Sequence, residues 1–432
     1  MTKPFARPTL SLMRNVTITV LLMLLASIAA ADEVIIRAAH LIDGRGRVVD
    51  DAAVVVSGTR IIRIEEHASR IVRRIDYDLG DVTLMPGGID THVHIGWHFD
   101  ADGRSHDDES DRHEPAEASI LFAAENAWRT LMGGITTVQS LGAPVDKTLR
   151  DAINRGTLPG PRILTAIDPI SDETLPVDAL RAAVRKLKAD GADVVKIFAS
   201  QSIRNGGAPT MSQEQMDAIC GEANALGLRT AVHAHGPESV KRAVLAGCRS
   251  IEHGALIDQP TLDLMAVHGT WFDPNIDLVF RNYFENKQHF LGIGNYTEEG
   301  FAQMKNAVPK ALHVFQMGLA TPKLKMVFGT DAVAGSHGRN FEELEYRVRV
   351  GGQAPLAAIT SATSMAADSL GIGDRVGTLA AGYDADIIAV EGNPLVHIDA
   401  LSHVRFVMKS GLVVKNVAAS HGSAKATITL RQ

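Results

Sequence analysis

Six residues able to hold a divalent cation stand at the ends of five β-like runs. His92 and His94 lie two apart in Gly88-Ile-Asp-Thr-His-Val-His94, and strand alternation turns both imidazoles to one face, as a metal requires. Lys196 sits inside Val194-Val-Lys-Ile-Phe198, where an ammonium among apolar neighbours costs free energy unless it is paired or chemically changed. His233 follows in Ala231-Val-His-Ala-His235, then His253 in Ser250-Ile-Glu-His253 and Asp331 in Phe328-Gly-Thr-Asp331. One His-x-His pair says little. The whole set, each member just before turn residues, points to a metal site, and four imidazoles with a carboxylate suit Zn²⁺ or a similar borderline ion.

Strands alternating with helices must position these groups. Apolar runs at 83–85 leading into 90–95, then 135–139, 162–166, 194–198, 230–235, 250–253, 271–274 and 326–330, read as eight strands. Helical patterns separate them, among them Leu180, Val184 and Leu187, often closed by Gly, as at Gly191, Gly227 and Gly247. This rhythm predicts an α/β fold, a (β/α)8 TIM barrel over 86–371, with a doubly wound sheet as the alternative. In a barrel the catalytic groups gather where these residues fall, at the C-terminal ends of the strands. Short β-branched runs at 32–85 and 372–432 predict a small β-sandwich domain built from both chain ends. Two irregular stretches, 97–115 and 282–299, are long enough to cover a site.

Lys3, Arg7 and Arg14 precede the apolar run Val16 to Ala29, and Ala29-Ala-Ala31 offers small residues for cleavage. Residues 1–31 therefore read as a signal peptide, too short in its apolar part to span a bilayer, and the chain as exported, periplasmic or secreted, without a stable membrane anchor. The two cysteines, Cys220 and Cys248, lie in apolar contexts that suit buried free thiols. A formal charge of −7 and 5% aromatics, with no basic patch, disfavour nucleic acid as a partner.

The motifs resemble the amidohydrolase superfamily, in its imidazolonepropionase-like and prolidase-type (Xaa-Pro dipeptidase-like) branch, over nearly the whole chain after residue 31. Pro86-Gly-Gly-Ile-Asp-Thr-His-Val-His94, Gly133-Gly-Ile-Thr-Thr-Val138, Gly160-Pro-Arg-Ile-Leu164, Val195-Lys-Ile-Phe-Ala199 and Gly377-Thr-Leu-Ala-Ala-Gly382 carry the resemblance in order. It implies two divalent metal ions, most simply Zn²⁺: His92, His94 and Asp331 on the first, His233 and His253 on the second. Lys196, carboxylated by CO₂ to a carbamate, would bridge them. Asp331 would also be the catalytic base. His337 and Asn340, in a His-Gly-x-Asn pattern, and His235 and His98 are expected to contact substrate, with Trp97 and Asp100 lining the pocket; a supporting role is the alternative for His235. His106 and His113 are expected in solvent, and the remaining histidines at the surface or in structural roles. The chain departs from the family at Gln139-Ser140, where relatives commonly carry Arg-Asp, and at Met211-Ser212, where many carry Tyr-Ser.

The expected activity is hydrolysis of a C–N amide bond in a small peptide or N-acyl amino acid, prolidase- or carboxypeptidase-like. A cyclic amide, lactone or amide-bearing toxin is the alternative substrate. Deamination fits less well, because such sites usually keep one metal and no lysine. A non-catalytic binding barrel is the contrasting class, disfavoured by the intact donor set. Specificity resides in loops, and assembly into a homo-oligomer stays open.

Overall fold

The computed structural model describes Met1 and residues 33–106 and 114–417. The expected signal segment 1–31 lies outside the described residues apart from Met1, as does His113. Among the described residues no helix is long and apolar enough to cross a membrane.

Eight parallel strands form the centre. Gly88–Val93, Ile135–Ser140 and Arg162–Thr165 make one sheet. Val194–Phe198, Arg229–Ala234, Ser250–His253, Trp271–Asp273 and Lys325–Met326 make another. Backbone bonds join the two at both seams. Asp193 N–H donates to Thr165 O (2.8 Å) at one, and Asp331 N–H to His92 O and His94 N–H to Ala332 O (both 2.8 Å) at the other. Helices follow the strands, beginning with Ala116–Met132, Val145–Asn154 and Val177–Asp190. This is an α/β fold of the TIM-barrel type with a separate domain. Most strands are buried along their length, consistent with their Val and Ile content.

The eighth strand is shorter than the expected 326–330. Only Lys325–Met326 pairs as a strand, because Phe328 N–H turns to Ser361 O (3.2 Å) and Asp331 N–H to the first strand. Gly329 is required there: a Cβ would lie 1.7 Å from Asp273 Oδ2.

Both chain ends enter one further sheet. Val82–Pro86 pairs with Glu33–Ile42 on one side and with Ile387–Glu391 on the other, so the N-terminal and C-terminal strands run on continuously. Among the described residues these strands form one continuous hydrogen-bonded ladder of eight. Its apolar face gathers Ile36, Val54 and Ile61 with Ile387, Phe406 and Met408 in one cluster. Alternate residues, Met85, Ile388 and Val407, pack with Leu131 and Phe341 of the α/β part. Period-two alternation thus gives the sheet two buried faces.

The free thiols expected at Cys220 and Cys248 are instead a disulfide, with Cα atoms 5.3 Å apart. Cys220 lies on helix Gln213–Ala225, and Cys248 follows the neighbouring helix Pro237–Leu245. Packing of these consecutive helices brings together two cysteines 28 positions apart in sequence. The supposedly irregular 282–299 also proves partly helical, over Leu278–Glu285, Lys287–Phe290 and the start of Glu298–Ala320. It is tied to the 97–106 hairpin: Arg104 donates to Gln288 O (3.0 Å) and Leu291 O (2.8 Å), and His289 bonds Gly103 O.

Candidate metal centre

The donor atoms meet where the strands end. His92 Nε2 lies 3.3 Å and His94 Nε2 3.2 Å from Asp331 Oδ1, and Lys196 Nζ lies 3.3 Å from His92 Nε2. Two ligands bonded at about 2.1 Å with tetrahedral angles stand about 3.4 Å apart, so these spacings fit a shared cation. The His253 ring is centred 5.1 Å from that of His92 and 4.7 Å from that of His233. All six residues expected from the sequence are thus brought together. His253 (φ 72°) and Asp331 (φ 52°) both hold the left-handed backbone region. For residues other than glycine this costs of order 1–3 kcal/mol each and persists only where the surroundings enforce it.

Burial disfavours the protonated form of three of these imidazoles. It drives His92, His233 and His253 well below the ordinary 6.5, and neighbouring groups, Lys196 among them, push the same way. Burial also lowers Lys196, while nearby Glu252 and Asp331 work against it. Asp331 behaves differently. Burial would raise its carboxyl, yet His92 and His94 hold it below the ordinary value.

A polar floor lies beneath the donors. Asp90 accepts from Thr330 Oγ1 (2.6 Å), Asn340 Nδ2 (2.7 Å) and the backbone N–H groups of His92 and Thr330 (both 3.1 Å). Burial still pushes its carboxyl up to about 7. Glu252 Oε2 faces His92 Nδ1 at 3.1 Å, and Asp273 accepts from Thr91 Oγ1 at 2.9 Å. Both acids are raised, first by burial. Arg347, fully buried, lies 3.6 Å from Asp273 and donates to Glu343 (3.0 Å) and Val327 O (2.8 Å). Sequence reasoning missed Glu252 and Asp273, although each stands at a strand end, beside His253 in one case and Pro274 in the other.

A cleft of about 640 Å³, counted to its open mouth, rises above the donors. Trp97 and His235 line it, as expected, and Trp97 stacks on His94 with ring centres 4.1 Å apart. His98, His337 and Asn340 are not in its wall. Asn340 serves the floor through Asp90, while His337 Nε2 meets Trp97 O at 3.2 Å, behind the wall. Asp100 shapes the hairpin, accepting from Asp102 N–H (2.9 Å) and Arg104 N–H (2.8 Å). The hairpin also turns His98 away: its Nδ1 bonds Gly96 O (2.8 Å), and its Nε2 faces Glu114 at 3.0 Å. His106, expected in solvent, is buried against His98, ring centres 4.8 Å apart. Arg204, Tyr283, Phe280 and Met304, which no motif marked, complete much of the wall.

Comparison with known proteins accords with this geometry. The amidohydrolase family profile matches residues 83–417. Ochratoxinase of Aspergillus niger is 28% identical, the alignment covering 91% of this chain and 89% of that one. A solved Xaa-Pro dipeptidase with methionine in its active site is 32% identical, with a TM-score of 0.79 over 89% of this chain and 100% of that one. A prolidase complexed with N-methylphosphonate-L-proline is 26% identical, with a TM-score of 0.76 over the same shares. The chain belongs to the amidohydrolase family and is a hydrolase of carbon–nitrogen bonds.

Proposed function

We propose that this chain is a binuclear metal-dependent amidohydrolase that cleaves a C–N amide bond in a small peptide or N-acyl amino acid. The observation that carries the reading is the meeting of His92, His94, Asp331 and Lys196 at 3.2–3.3 Å on the floor of an apolar-walled cleft. His92, His94 and Asp331 would hold one ion, His233 and His253 the other, most simply Zn²⁺ in both places. Two such ions supply Lewis-acid charge that makes water nucleophilic near neutral pH and polarises a carbonyl.

The chain's own groups do the rest. Burial disfavours the ammonium of Lys196, and as the neutral amine its Nζ would add to CO₂ and release a proton. A carbamate there would be an anionic oxygen ligand in place of a stranded cation. Asp331 Oδ takes a proton from the attacking water and returns it to the leaving nitrogen, and its lowered pKa keeps it ready as a base. His235 stands on the same strand face as His233, their rings 4.7 Å apart, where it reaches substrate or orients a ligand. We assign His98, His337 and Asn340 to support of the loop and floor, not to substrate.

The division into a barrel over 86–371 and a β-domain from 32–85 and 372–432 belongs to the same reading, supported by the sheet that joins both ends. So does export of the chain, which the Cys220–Cys248 disulfide supports. The likeness to ochratoxinase favours an amide-bearing toxin as the second substrate reading.

The test is metal analysis of the purified chain with a dipeptide and N-acyl amino acid screen of the metal-loaded protein. Near two equivalents of metal per chain, and turnover lost to a chelator and restored by Zn²⁺, are expected. Asp331→Asn should lower kcat by about 10²- to 10⁴-fold while keeping much of the metal. Unchanged turnover in that variant would remove Asp331 from the chemistry.

A further inference from the structure

The short hairpin beyond strand Gly88–Val93 carries a second set of ligand types. His98–Phe99 pairs antiparallel with Ser105–His106, and His98 stands directly opposite His106. Cross-strand partners share a face, so the two imidazoles stack with ring centres 4.8 Å apart. Glu114 joins them from the approach to helix Ala116–Met132, where Ser119 Oγ donates to its Oε2 at 2.5 Å. Its Oε1 and Oε2 lie 3.1 and 3.0 Å from His98 Nε2, and Oε2 lies 3.9 Å from His106 Nδ1. The donor atoms of all three fall within 4.8 Å of one another. No side chain of the three is more than 9% exposed, and none lines the cleft.

The tautomer of His98 turns this cluster into a cation site. Its Nδ1 meets Gly96 O at 2.8 Å, an acceptor that requires the proton on Nδ1. In the neutral ring Nε2 then aims a lone pair at two carboxylate oxygens, which repel it. A cation between them removes the repulsion. A proton on Nε2 serves the His98–Glu114 pair alone, whereas a metal ion also uses the nitrogen of His106. An imidazole whose other nitrogen donates to a backbone carbonyl is moreover the usual form of a metal-ligating histidine. We propose that His98, His106 and Glu114 bind one further divalent ion, separate from the strand-end centre. Two imidazole nitrogens and one carboxylate suit Zn²⁺ or Co²⁺, not Mg²⁺ or Ca²⁺. The ion ties the hairpin to helix Ala116–Met132, whose Phe122 stacks on His98 and whose Asn126 donates to Ile95 O (3.0 Å) and Trp97 O (2.9 Å). Through Arg104 the same hairpin holds Gln288 and Leu291, so the ion braces the cleft wall from outside it.

The test is a Zn²⁺ titration of the full chain, with bound metal counted after equilibrium dialysis. Wild type, His106→Ala, Glu114→Gln and a control at an exposed neighbour, Glu117→Gln, are compared. Three ligands with a single charge make a weak set, so this ion is taken up on titration, beyond the metal that the purified chain retains. The wild type and Glu117→Gln should bind one equivalent more than His106→Ala and Glu114→Gln. That difference persists even if the strand-end centre binds nothing, so failure of one site is distinguishable from failure of the other. Hydrogen exchange of the wild type needs no variant and decides the matter where a variant fails to fold. The amides of Asp100 and Arg104 are bonded within the hairpin, to Arg104 O and Asp100 Oδ1 (both 2.8 Å). They should exchange about tenfold more slowly once free Zn²⁺ reaches about ten times the Kd, because opening must release the ion. Equal metal content in all four proteins overturns the proposal and leaves His98 and Glu114 as a protonated pair. Hairpin exchange that Zn²⁺ leaves unchanged overturns it as well.

Discussion

His337 gives a prediction in which one buried group can be isolated. Its ring bonds Trp97 O, and Trp97 stacks on His94, so it steadies the cleft wall from behind. Burial pushes its pKa from 6.5 down to about 3. The folded chain therefore demands the neutral ring. A depressed value contributes stability that is present above the unfolded pKa and is lost as pH falls below it, because only the unfolded ring then takes a proton. Between pH 7 and pH 5 the loss is about 2 kcal/mol. The figure is set by the unfolded pKa: at pH 5 a folded value anywhere near 3 leaves the buried ring neutral. Asp90, held up at about 7, acts in the opposite sense over the same range, so the total pH dependence is a poor measure. Comparison with His337→Gln cancels that background. Urea unfolding of both proteins at pH 7 and pH 5, in one metal buffer, should show the wild type losing about 2 kcal/mol more than the variant. Parallel losses would refute the claim that His337 is held neutral.

Three further outcomes follow from the geometry. Lys196→Ala should lose most activity and part of the bound metal, and millimolar acetate or propionate should restore some of both, measured by turnover and metal content. Gly329→Ala places a methyl against Asp273, which Thr91 and Arg347 hold in place; a loss of about 1–3 kcal/mol or more is expected, read as a lower thermal midpoint. Replacing Cys220 and Cys248 by Ser opens a link across 28 positions and should cost about 3–4 kcal/mol, and the wild type under reducing conditions should melt at the same lowered temperature.

What the sequence revealed depended on how local each signal was. His92, His94, Lys196, His233, His253 and Asp331 each end or interrupt a β-like run, so residue type, period-two alternation and the following turn sufficed to bring them to one edge. His98 satisfied the same local rule of nearness to the motif, but the hairpin through Ser105–His106 turned its ring toward Glu114, and nothing in the spacing records that turn. The disulfide failed for a similar reason. Each cysteine stands in its own apolar stretch, and only the packing of helix Gln213–Ala225 beside Pro237–Leu245 and the turn after it sets their Cα atoms 5.3 Å apart. Arg204 was hidden further still: its place in the cleft wall comes from stacking against Tyr283 and Tyr296, far along the chain.

The polar floor shows a deeper limit. Glu252 adjoins His253, so simple alternation would send the two to opposite faces, yet the left-handed backbone at His253 lets both serve the centre. Asp273 gains its place only because Gly329, just past the next strand, has no Cβ. Read singly, these acids look like errors in an apolar barrel. Together with Asp90, held up at about 7, and imidazoles held neutral, they form an interior whose ionised state is disfavoured at almost every position. Bound dications would reverse that penalty for each acid at once, because a nearby positive charge favours a carboxylate. Local rules fail at this floor because its acids suit a positive charge such as the proposed ions would bring, which the polypeptide itself does not supply.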